Sequence, residues 1–409
     1  MTNELIPPSV SKVGRTRLLY LSYTPPIPTW GGALAFYRHF IERQDFTVKV
    51  ITNCEKFPAQ SVPYQPVLFG PSRLTRRLFR TRLLPWFYGP HSLSAWGRVP
   101  RDVWRAAQEF NPDVVFTVAG SWDYSALVAQ QVARRLKVPL VASFNDWFNY
   151  GWFPSHSAYH SMIERRFRRF YHEADLALCT CEGMREALGT HPHAHVLYPL
   201  GARLPEKLPG FTPYAVDGRP FVVAFAGSLA DWYGPMLERL VTAAQLRSAP
   251  VEFRFYGSNP SWSREFDAKA RARNIFLGHL PFEELRRQVA GADALILPMG
   301  FEESCALVER TSFKTKFLDY LSYQKPILVW GPEYCSAVRV AREFDSAEIC
   351  VQTDAMAMLE KLLKLRDEPE RQYELVNNAR KMYDDRFHPD KIHEGLVNEI
   401  KATVEAFRA

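Results

Sequence analysis

Three polar residues in the second half of the chain could bind a phosphorylated ligand. Ser312, Lys316 and Asp319 are spaced at i, i+4 and i+7, so on a helix they form one polar line. Ser312 is a good N-cap residue, and a helix that begins there offers unpaired N–H groups to an anion. Lys316 would add a charge and Asp319 a carboxylate for a hydroxylated sugar. The same spacing is typical of a plain amphipathic helix with a solvated Lys316–Asp319 pair, so this stretch alone leaves both interpretations open.

A buried strand should follow this helix and hold it in place. Pro326 opens a short apolar run over residues 327–330, which Gly331 closes. Similar apolar runs alternate with amphipathic stretches along the chain, and this alternation predicts parallel sheets. The predicted strands cover residues 17–22, 46–52, 113–118, 139–144, 175–179, 195–198, 221–226, 252–256, 274–277, 293–297 and 327–330.

The chain is predicted to form two domains, because 409 residues exceed one ordinary domain. A Pro- and Gly-rich stretch near residues 200–220 has the composition of a linker. We expect an N-terminal domain over 1–204, a linker over 205–220 and a second domain over 221–385. A C-terminal helix over 386–409 is expected to pack back on the first domain. The fold class is therefore α/β, with two tandem Rossmann-like domains facing across a cleft.

Further polar residues follow the predicted strands of the first domain. Gly31-Gly32, Asp123 and Asn145-Asp146 all lie where strands end, which is where open α/β sheets bind ligands. His191, His193 and His195 resemble a metal cluster, but Pro192 interrupts them and no further ligand completes the set. A loop that enters a strand is the better interpretation of these histidines.

A basic, aromatic segment between residues 66 and 105 favours two interpretations equally. Arginines alternate with Leu, Phe and Trp, and the only acid is Asp102. Such a segment, from residue 72 onward, suits an anionic membrane surface, and it also suits a core helix with a solvated basic face. Nucleic acid is not expected as a partner, because no recognised nucleic-acid module surrounds the segment.

Composition bounds the location of the protein. The net charge of +7 favours anionic partners, and the six cysteines are scattered, as expected of reduced thiols in a cytosolic protein. The N-terminus has no apolar signal core, and no apolar run approaches the length of a membrane span. We expect a cytoplasmic protein, peripheral at most on the inner face of the cell membrane.

The order of these motifs resembles the GT-B glycosyltransferases. The similarity is to the retaining branch that includes sucrose synthase and bacterial polysaccharide ("group 1", family 4-like) transferases, and it covers most of the chain. The matching stretches are Gly31-Gly32, EADLALCTCEGMREAL, FAGSL, NIFLGHLPFEELRRQVAGADALILP and SFKTKFLDYLSYQKPIL.

The resemblance implies hexosyl transfer from a nucleotide sugar, with retention and without a metal or other cofactor. Lys316, Asn145 and Asp146 are the implied catalytic residues. The acceptor would be a glycan, a lipid-linked glycan or a small molecule, as in polysaccharide biosynthesis. The remaining implied residues are Gly31, Gly32, Gly227, Ser228, Ser312, Lys314, Thr315 and Asp319 for the donor, and Asp123, Trp147 and Tyr150 for the acceptor.

The sequence departs from the family pattern at three places. Thr311 stands where the first signature glutamate is expected, and Glu302, Glu303 and Glu309 are the candidates to substitute for it. The Arg and Lys that normally follow the donor-domain glycine are absent from the run LADWYG, and Asn145 replaces a histidine.

The departures leave a variant subfamily, an unusual donor preference or reduced activity open, and two alternative functions remain. A nucleotide-sugar epimerase of the same architecture would act without an acceptor. A non-catalytic sugar- or nucleotide-binding scaffold would bind a donor without turnover.

Overall fold

The computed structural model describes residues 15–28, 31–54, 57, 61–70, 77, 81, 98–120, 124–147, 157–204 and 210–409. Within them the chain forms two parallel β-sheets, one of seven strands and one of six. The apolar runs of the sequence form the strands because parallel strands are buried on both faces. Leu18, Leu19, Tyr20 and Leu21 in the first strand, for example, are all fully buried.

The first sheet has the strand order β3-β2-β1-β4-β5-β6-β7. Its strands are β1 Thr16–Leu21, β2 Phe46–Thr52, β3 Val67–Leu68, β4 Val114–Val118, β5 Leu140–Phe144, β6 Leu176–Cys179 and β7 Ala194–Val196. The helices described in this domain are α1 Gly31–Phe40, α2 Arg101–Phe110, α3 Tyr124–Leu136, α4 Ser157–His172 and α5 Glu182–Leu188.

The second sheet has the strand order β10-β9-β8-β11-β12-β13. Its strands are β8 Phe221–Ser228, β9 Val251–Ser258, β10 Phe276–Gly278, β11 Ala294–Pro298, β12 Ile327–Trp330 and β13 Glu348–Cys350. Its helices are α6 Tyr233–Leu246, α7 Arg264–Ala272, α8 Phe282–Ala290, α9 Glu303–Thr311, α10 Thr315–Leu321, α11 Ser336–Phe344, α12 Ala355–Asp367 and α13 Pro369–Met382.

In both sheets the strand order reverses beside the first strand, because the chain builds outward from that strand on one side and then on the other. Each sheet therefore has a crevice at the carboxyl ends of its strands. β1 pairs with β2 and β4, and β8 pairs with β9 and β11. In this topology ligands bind at the reversal. The predicted fold class, two Rossmann-like α/β domains, is confirmed.

The last helix of the chain returns to the first sheet. A five-residue π-helix, Tyr383–Phe387, leads into α14 Pro389–Arg408. Leu396, Ile400 and Val404 of α14 are buried in one cluster with Leu18 and Tyr20 of β1. The N-terminal domain is therefore completed by the C-terminal end of the chain.

The predicted N-cap of the helix at the centre of the site is wrong by two residues, since the N-cap is Lys314. α10 begins at Thr315, and the backbone of Ser312 is extended, with φ −97° and ψ 150°, as the C-cap of α9. The N–H of Ser312 donates to the carbonyl of Val308 at 2.8 Å. Ser312 thus ends one helix instead of opening the next.

The region after β12 also differs from the prediction. Two helical stretches are expected there, whereas the structure has three helices and the short strand β13 before Tyr383. β13 pairs with β12 at the edge of the sheet and has only three residues. A run this short carries too little alternation to be recognised.

Candidate functional site

A cavity of about 300 Å³ lies between the two domains. The first domain contributes one face of α1, with Gly32, Ala35, Phe36 and His39, and the residues that follow β5. The second domain contributes the loop before α6 and the segment between α9 and α10. The lining residues that the sequence also predicts are Gly32, Asn145, Asp146, Ser312, Lys314, Thr315 and Lys316.

One hydrogen bond joins the two walls of the cavity. The Oγ of Ser312, in the second domain, donates to Oδ1 of Asp146, in the first, at 3.3 Å. Beside it, the Oγ of Ser143 donates to Oδ1 of Asn145 at 2.9 Å. A Cβ at Gly32 would lie 3.9 Å from Nδ2 of Asn145. Asn145 is therefore held by its oxygen, with its amide nitrogen close to the start of α1.

Lys314 forms a buried ion pair behind the cavity wall. Its Nζ lies 3.1 Å from Oε2 of Glu309, whose side chain has no exposed surface. The same carboxylate accepts from the N–H of Gly300 at 3.3 Å. Burial lowers the pKa of Lys314, but Tyr233 and Glu309 outweigh that effect and the net shift is upward. Of the three glutamates that are candidates to replace the one missing at Thr311, Glu309 is the one that contacts the site, through its ion pair with Lys314.

Lys316 reaches across the end of β8 into the cavity. Its Nζ lies 4.7 Å from the ring centroid of Tyr233 and 5.7 Å from that of Phe225. A Cβ at Gly227, where φ is +147°, would lie 1.9 Å from Cε of Lys316. Only glycine leaves room for this path.

The ammonium of Lys316 is partly desolvated. Burial, with the nearby charge of Lys314, lowers the pKa of Lys316 to about 8. Within the described part of the chain, no carboxylate lies within 4.0 Å of its nitrogen. Lys316 is a cation that can accept an anionic ligand without giving up a partner.

The positive charge expected after the donor-domain glycine comes from α10 instead. The run LADWYG covers residues 229–234, directly after Ser228, and contains no cation. Ser228 is exposed at the end of β8, and its Oγ accepts from the N–H of Ala230 at 3.3 Å. Trp232 and Tyr233 line the cavity, and Lys316 lies over Tyr233. The indole N–H of Trp232 is buried without a partner among the described residues.

Asp319 connects α10 to the first domain. Its Oδ1 accepts from the N–H of Ala202 at 3.1 Å and lies 3.6 Å from Nη1 of Arg38. Arg38 also donates to the carbonyl of Leu200 at 2.5 Å. The carboxylate side chain is 41% exposed, and the donor contact implied by the resemblance stays a prediction.

Of the three implied acceptor residues, Trp147 is the one that lies within the described part of the chain. Trp147 is 2% exposed, and its ring packs edge-on against Phe167 at 5.5 Å, with Arg168 at 5.0 Å. It belongs to the core of the first domain and offers no free face for stacking. Asp123 and Tyr150 lie outside the described residues, as does most of the segment 72–105.

Gly31 begins α1 beside the cavity, and His39 ends the lining face of that helix. His39 is not among the site residues predicted from the sequence. The spacing of residues 32, 35, 36 and 39 is the signal that could have revealed it, because these positions share one face of a helix.

Two further expectations concern metals and membranes. In the described ranges, no group of three His, Cys, Asp or Glu side chains is arranged to hold a metal ion. His191 instead uses Nε2 against the carbonyl of Ala174 at 3.1 Å and accepts from the N–H of His193 through Nδ1. None of the helices described is long and apolar enough to cross a membrane.

Comparisons with known proteins agree with this architecture. Residues 33–199 match the family Glycosyltransferase Family 4. No curated protein matches the sequence. The first domain therefore carries a sequence match to a glycosyltransferase family.

Solved structures of similar fold include three glycosyltransferases. HepE from Anabaena, in complex with UDP, is 13% identical, with a TM-score of 0.64 over 95% of this chain and 100% of that one. Sucrose-phosphate synthase from Thermosynechococcus elongatus is 14% identical, with a TM-score of 0.60 over 96% and 100%. The lipopolysaccharide outer core galactosyltransferase WaaB, in its apo form, is 13% identical, with a TM-score of 0.58 over 95% and 99%. At these identities the likeness shows the fold, and the resemblance to GT-B glycosyltransferases is confirmed.

Proposed function

We propose that this GT-B protein, whose first domain matches Glycosyltransferase Family 4, transfers a hexosyl group from a nucleotide sugar to a hydroxylated acceptor. The acceptor is a glycan, a lipid-linked glycan or a small molecule of polysaccharide or glycoconjugate biosynthesis. Transfer proceeds with retention and without a metal. The HepE structures contain UDP and, in one case, glucose, which is the ligand chemistry proposed for this cavity.

The position of Lys316 is the observation that carries the proposal. A nucleoside diphosphate gains negative charge as its bond to the sugar breaks. Lys316 lies in the cavity, its charge unpaired within the described part of the chain, so it can stabilise that charge where it develops. Lys314 adds a second positive charge, which Glu309 partly neutralises. α10 has only seven residues, so the side chain of Lys316, more than the helix dipole, supplies the field.

The first-domain wall is proposed to orient the sugar. Asn145 and Asp146 line the cavity opposite Lys316, and their amide and carboxylate groups suit sugar hydroxyls. The buried indole N–H of Trp232 is a further donor for a hydroxyl or a phosphate. Asn145 cannot shuttle a proton at neutral pH, so the leaving phosphate itself is proposed to take the proton of the acceptor hydroxyl. No pair of carboxylates at glycosidase spacing is then needed.

Retention rests on the resemblance to the retaining branch and needs a direct measurement. NMR of the anomeric proton during turnover distinguishes a retained from an inverted product before mutarotation. Activity that persists in the presence of EDTA supports metal independence. An inverted product would reject the retaining mechanism while leaving the transferase function intact.

The basic segment 72–105 is proposed to hold the protein against anionic lipid on the inner face of the cell membrane. Arg101 and Arg105 are exposed on the first turns of α2, close to Asp102. Changing Arg76 and Arg77 together to Glu should reduce binding to anionic liposomes, because each basic residue near the surface contributes about 1 kcal/mol. Unchanged binding would reject this membrane contact.

A ligand panel tests the proposed function most directly. Thermal stability would be measured with nucleoside diphosphates and nucleotide sugars, because a ligand that binds the folded state raises apparent stability by mass action. The best donor would then be incubated with and without acceptors. Conversion of the donor sugar without any acceptor would indicate an epimerase. Donor binding without turnover for any acceptor would indicate a scaffold.

A further inference from the structure

His39 is a buried imidazole at the first-domain wall of the cavity. It lies seven residues beyond Gly32 on the face of α1 that lines the cavity. The residue is 1% exposed, so its two ring nitrogens need partners in the protein or in a ligand.

A chain of hydrogen bonds determines which nitrogen of His39 carries the proton. Oδ2 of Asp45 lies 2.9 Å from Nε2 of His393. An ionised carboxylate only accepts hydrogen bonds, so His393 holds its proton on Nε2. The Nδ1 of a neutral His393 is then bare, that is, without a proton. That Nδ1 lies 3.1 Å from Nδ1 of His39. One proton must lie between the two nitrogens, so His39 donates from Nδ1.

The other nitrogen of His39 is consequently bare. Among the residues that the structure describes, Nε2 of His39 has no hydrogen-bond partner, and His39 lines the cavity. A bare nitrogen at such a wall has two chemical uses. It can take a proton as a general base, or it can accept a hydrogen bond and stay neutral.

The surroundings of His39 favour the second use. Burial lowers the pKa of His39 well below its usual range, and the neighbouring His393 and the charge of Arg43 lower it further. An imidazolium would therefore be costly to form here. Arg43 itself pairs with Asp390 at the start of α14 at 2.5 Å.

We propose that His39 is a substrate-binding residue whose bare Nε2 accepts a hydrogen bond from a sugar hydroxyl in the cavity. His393 and Asp45 are positioning residues that act through His39 by holding its tautomer. The class of ligand rests on the proposed function, since a glycosyltransferase places sugar hydroxyls in this cavity.

The same geometry separates two ligand chemistries along the cavity. A nitrogen that can only accept repels phosphate and carboxylate oxygens and attracts hydroxyl protons. The diphosphate therefore belongs at Lys316 in the second domain, and the polyhydroxylated part of a substrate at His39. Donor and acceptor sugars share this hydroxyl chemistry.

The tautomer can be measured on the full-length protein by 15N NMR of the histidine side chains. His39 should show the less common form with the proton on Nδ1. Glucose, titrated in the presence of UDP up to concentrations near its solubility, should shift the Nε2 resonance, whereas UDP alone should not. A larger shift with UDP-glucose than with UDP plus glucose would assign the hydroxyl to the donor sugar, and the reverse to the acceptor.

Three variants test the positioning chain. Asp45→Asn removes the fixed acceptor at an exposed position, so His39 should lose its single tautomer and the glucose shift should weaken. Asp45→Glu should restore both. His195→Gln is the matched control, because His195 also contacts α14, with Nδ1 3.2 Å from Oε1 of Glu399, but is not part of the chain to His39. It should leave the tautomer and the shift unchanged.

His39→Phe should raise the apparent Kd for glucose by about tenfold with little change for UDP. His39 with its proton on Nε2, or no response to either glucose or UDP-glucose, would overturn the inference. These readings need no turnover. A protein that transfers sugar but shows the Nε2 proton would lose this inference alone, and one that shows the tautomer and the glucose shift without turnover would lose the transferase function alone.

Discussion

The Nζ of Lys314 lies 3.1 Å from the Oε2 of Glu309, a carboxylate with no exposed surface. Two residues further on, Lys316 has no such partner among the described residues. Two lysines at the start of α10 thus have opposite environments, one in a buried ion pair and the other a desolvated single charge. The pair supports the wall of the cavity, and the single charge is available to a ligand.

Changing Lys314 to Met should destabilise the fold by about 3 kcal/mol or more, because the buried Glu309 loses its counter-ion. Burial already raises the pKa of Glu309, and loss of Lys314 raises it further. The destabilisation should therefore be smaller at acidic pH, where Glu309 is protonated. Urea unfolding of both proteins over a pH series measures this, and an equal free energy of unfolding at neutral pH would contradict the buried pair.

The same substitution at Lys316 should change the free energy of unfolding in the opposite direction. Lys316→Met removes a desolvated charge without orphaning an acid among the described residues, so the free energy of unfolding should rise by about 1 to 3 kcal/mol. The Lys314→Met and Lys316→Met variants are controls for each other, since both replace a lysine side chain by the same methionine side chain. If both substitutions destabilise the protein, the packing of the side chains, and not their charge, determines the free energy of unfolding at these two positions.

Lys316→Ala should lower kcat by about 100-fold and raise the donor KM much less, because its contact strengthens as the leaving group gains charge. Steady-state kinetics with the donor found by the ligand panel measure both parameters. A change in KM alone would reject the catalytic role of Lys316 and leave only a binding role.

Nucleotide binding should weaken at alkaline pH. The pKa of Lys316 is lowered to about 8 by burial, and a bound diphosphate favours its charged form. Above about pH 8, binding takes up a proton and the Kd for UDP should rise by up to about tenfold per pH unit. Calorimetric titrations in two buffers of different ionisation enthalpy measure the uptake. Lys316→Arg is the control, because guanidinium does not titrate in this range, and a pH-dependent Kd in that variant would point to another group.

The sign of the effect on stability follows from the same pKa. An unfolded lysine titrates near about 10.4, so between about pH 8 and 10.4 the unfolded chain holds more protons at this residue than the folded one. The contribution of Lys316 to the free energy of unfolding should therefore be most unfavourable below about pH 8 and vanish above about pH 10.4. The stability difference between wild type and Lys316→Met should narrow across that window.

Gly227→Ala should reduce activity because its Cβ would lie 1.9 Å from Cε of Lys316 and would displace the ammonium. Gly218→Ala is a matched control, since Gly218 also has a positive φ, +94°, but has nothing within 4 Å of a built Cβ. Both variants should lose about 1 kcal/mol of stability through backbone strain. Only Gly227→Ala should lower kcat, and equal activity in the two would contradict the path of Lys316.

The strands could be predicted where apolar runs are short, continuous and closed by Gly or Pro. β12 has the bounds expected from the sequence, because burial on both faces leaves an unmistakable apolar run. β2 also has its expected bounds, although Thr47 is exposed and Lys49 is half-buried. α9 is different, since its buried face includes Glu309 and Thr311, and polar residues on a buried face hide the helical period. Ser312 misleads for a related reason. Its residue type suits a cap, but the type alone does not say which helix it caps.

Contacts distant in the chain could not be predicted at all. His39 and His393 are 354 positions apart, and neither has a local pattern that points to the other. Their pairing follows from the return of α14 to the first sheet, which is set by apolar packing and not by the histidines. Lys314 and Lys316, by contrast, are close in sequence, so their common position at the start of a helix could be predicted, whereas their different partners could not.

The return of α14 also restricts how the cavity can open. The peptide chain passes between the domains twice, near Leu204 and again at the π-helix, and the N–H of Leu204 donates to the hydroxyl of Tyr383 at 3.1 Å where the two passages meet. Two segments that run side by side can bend together, but they resist twisting about each other. We expect opening to follow a single angular coordinate, which one pair of distance labels would be enough to record.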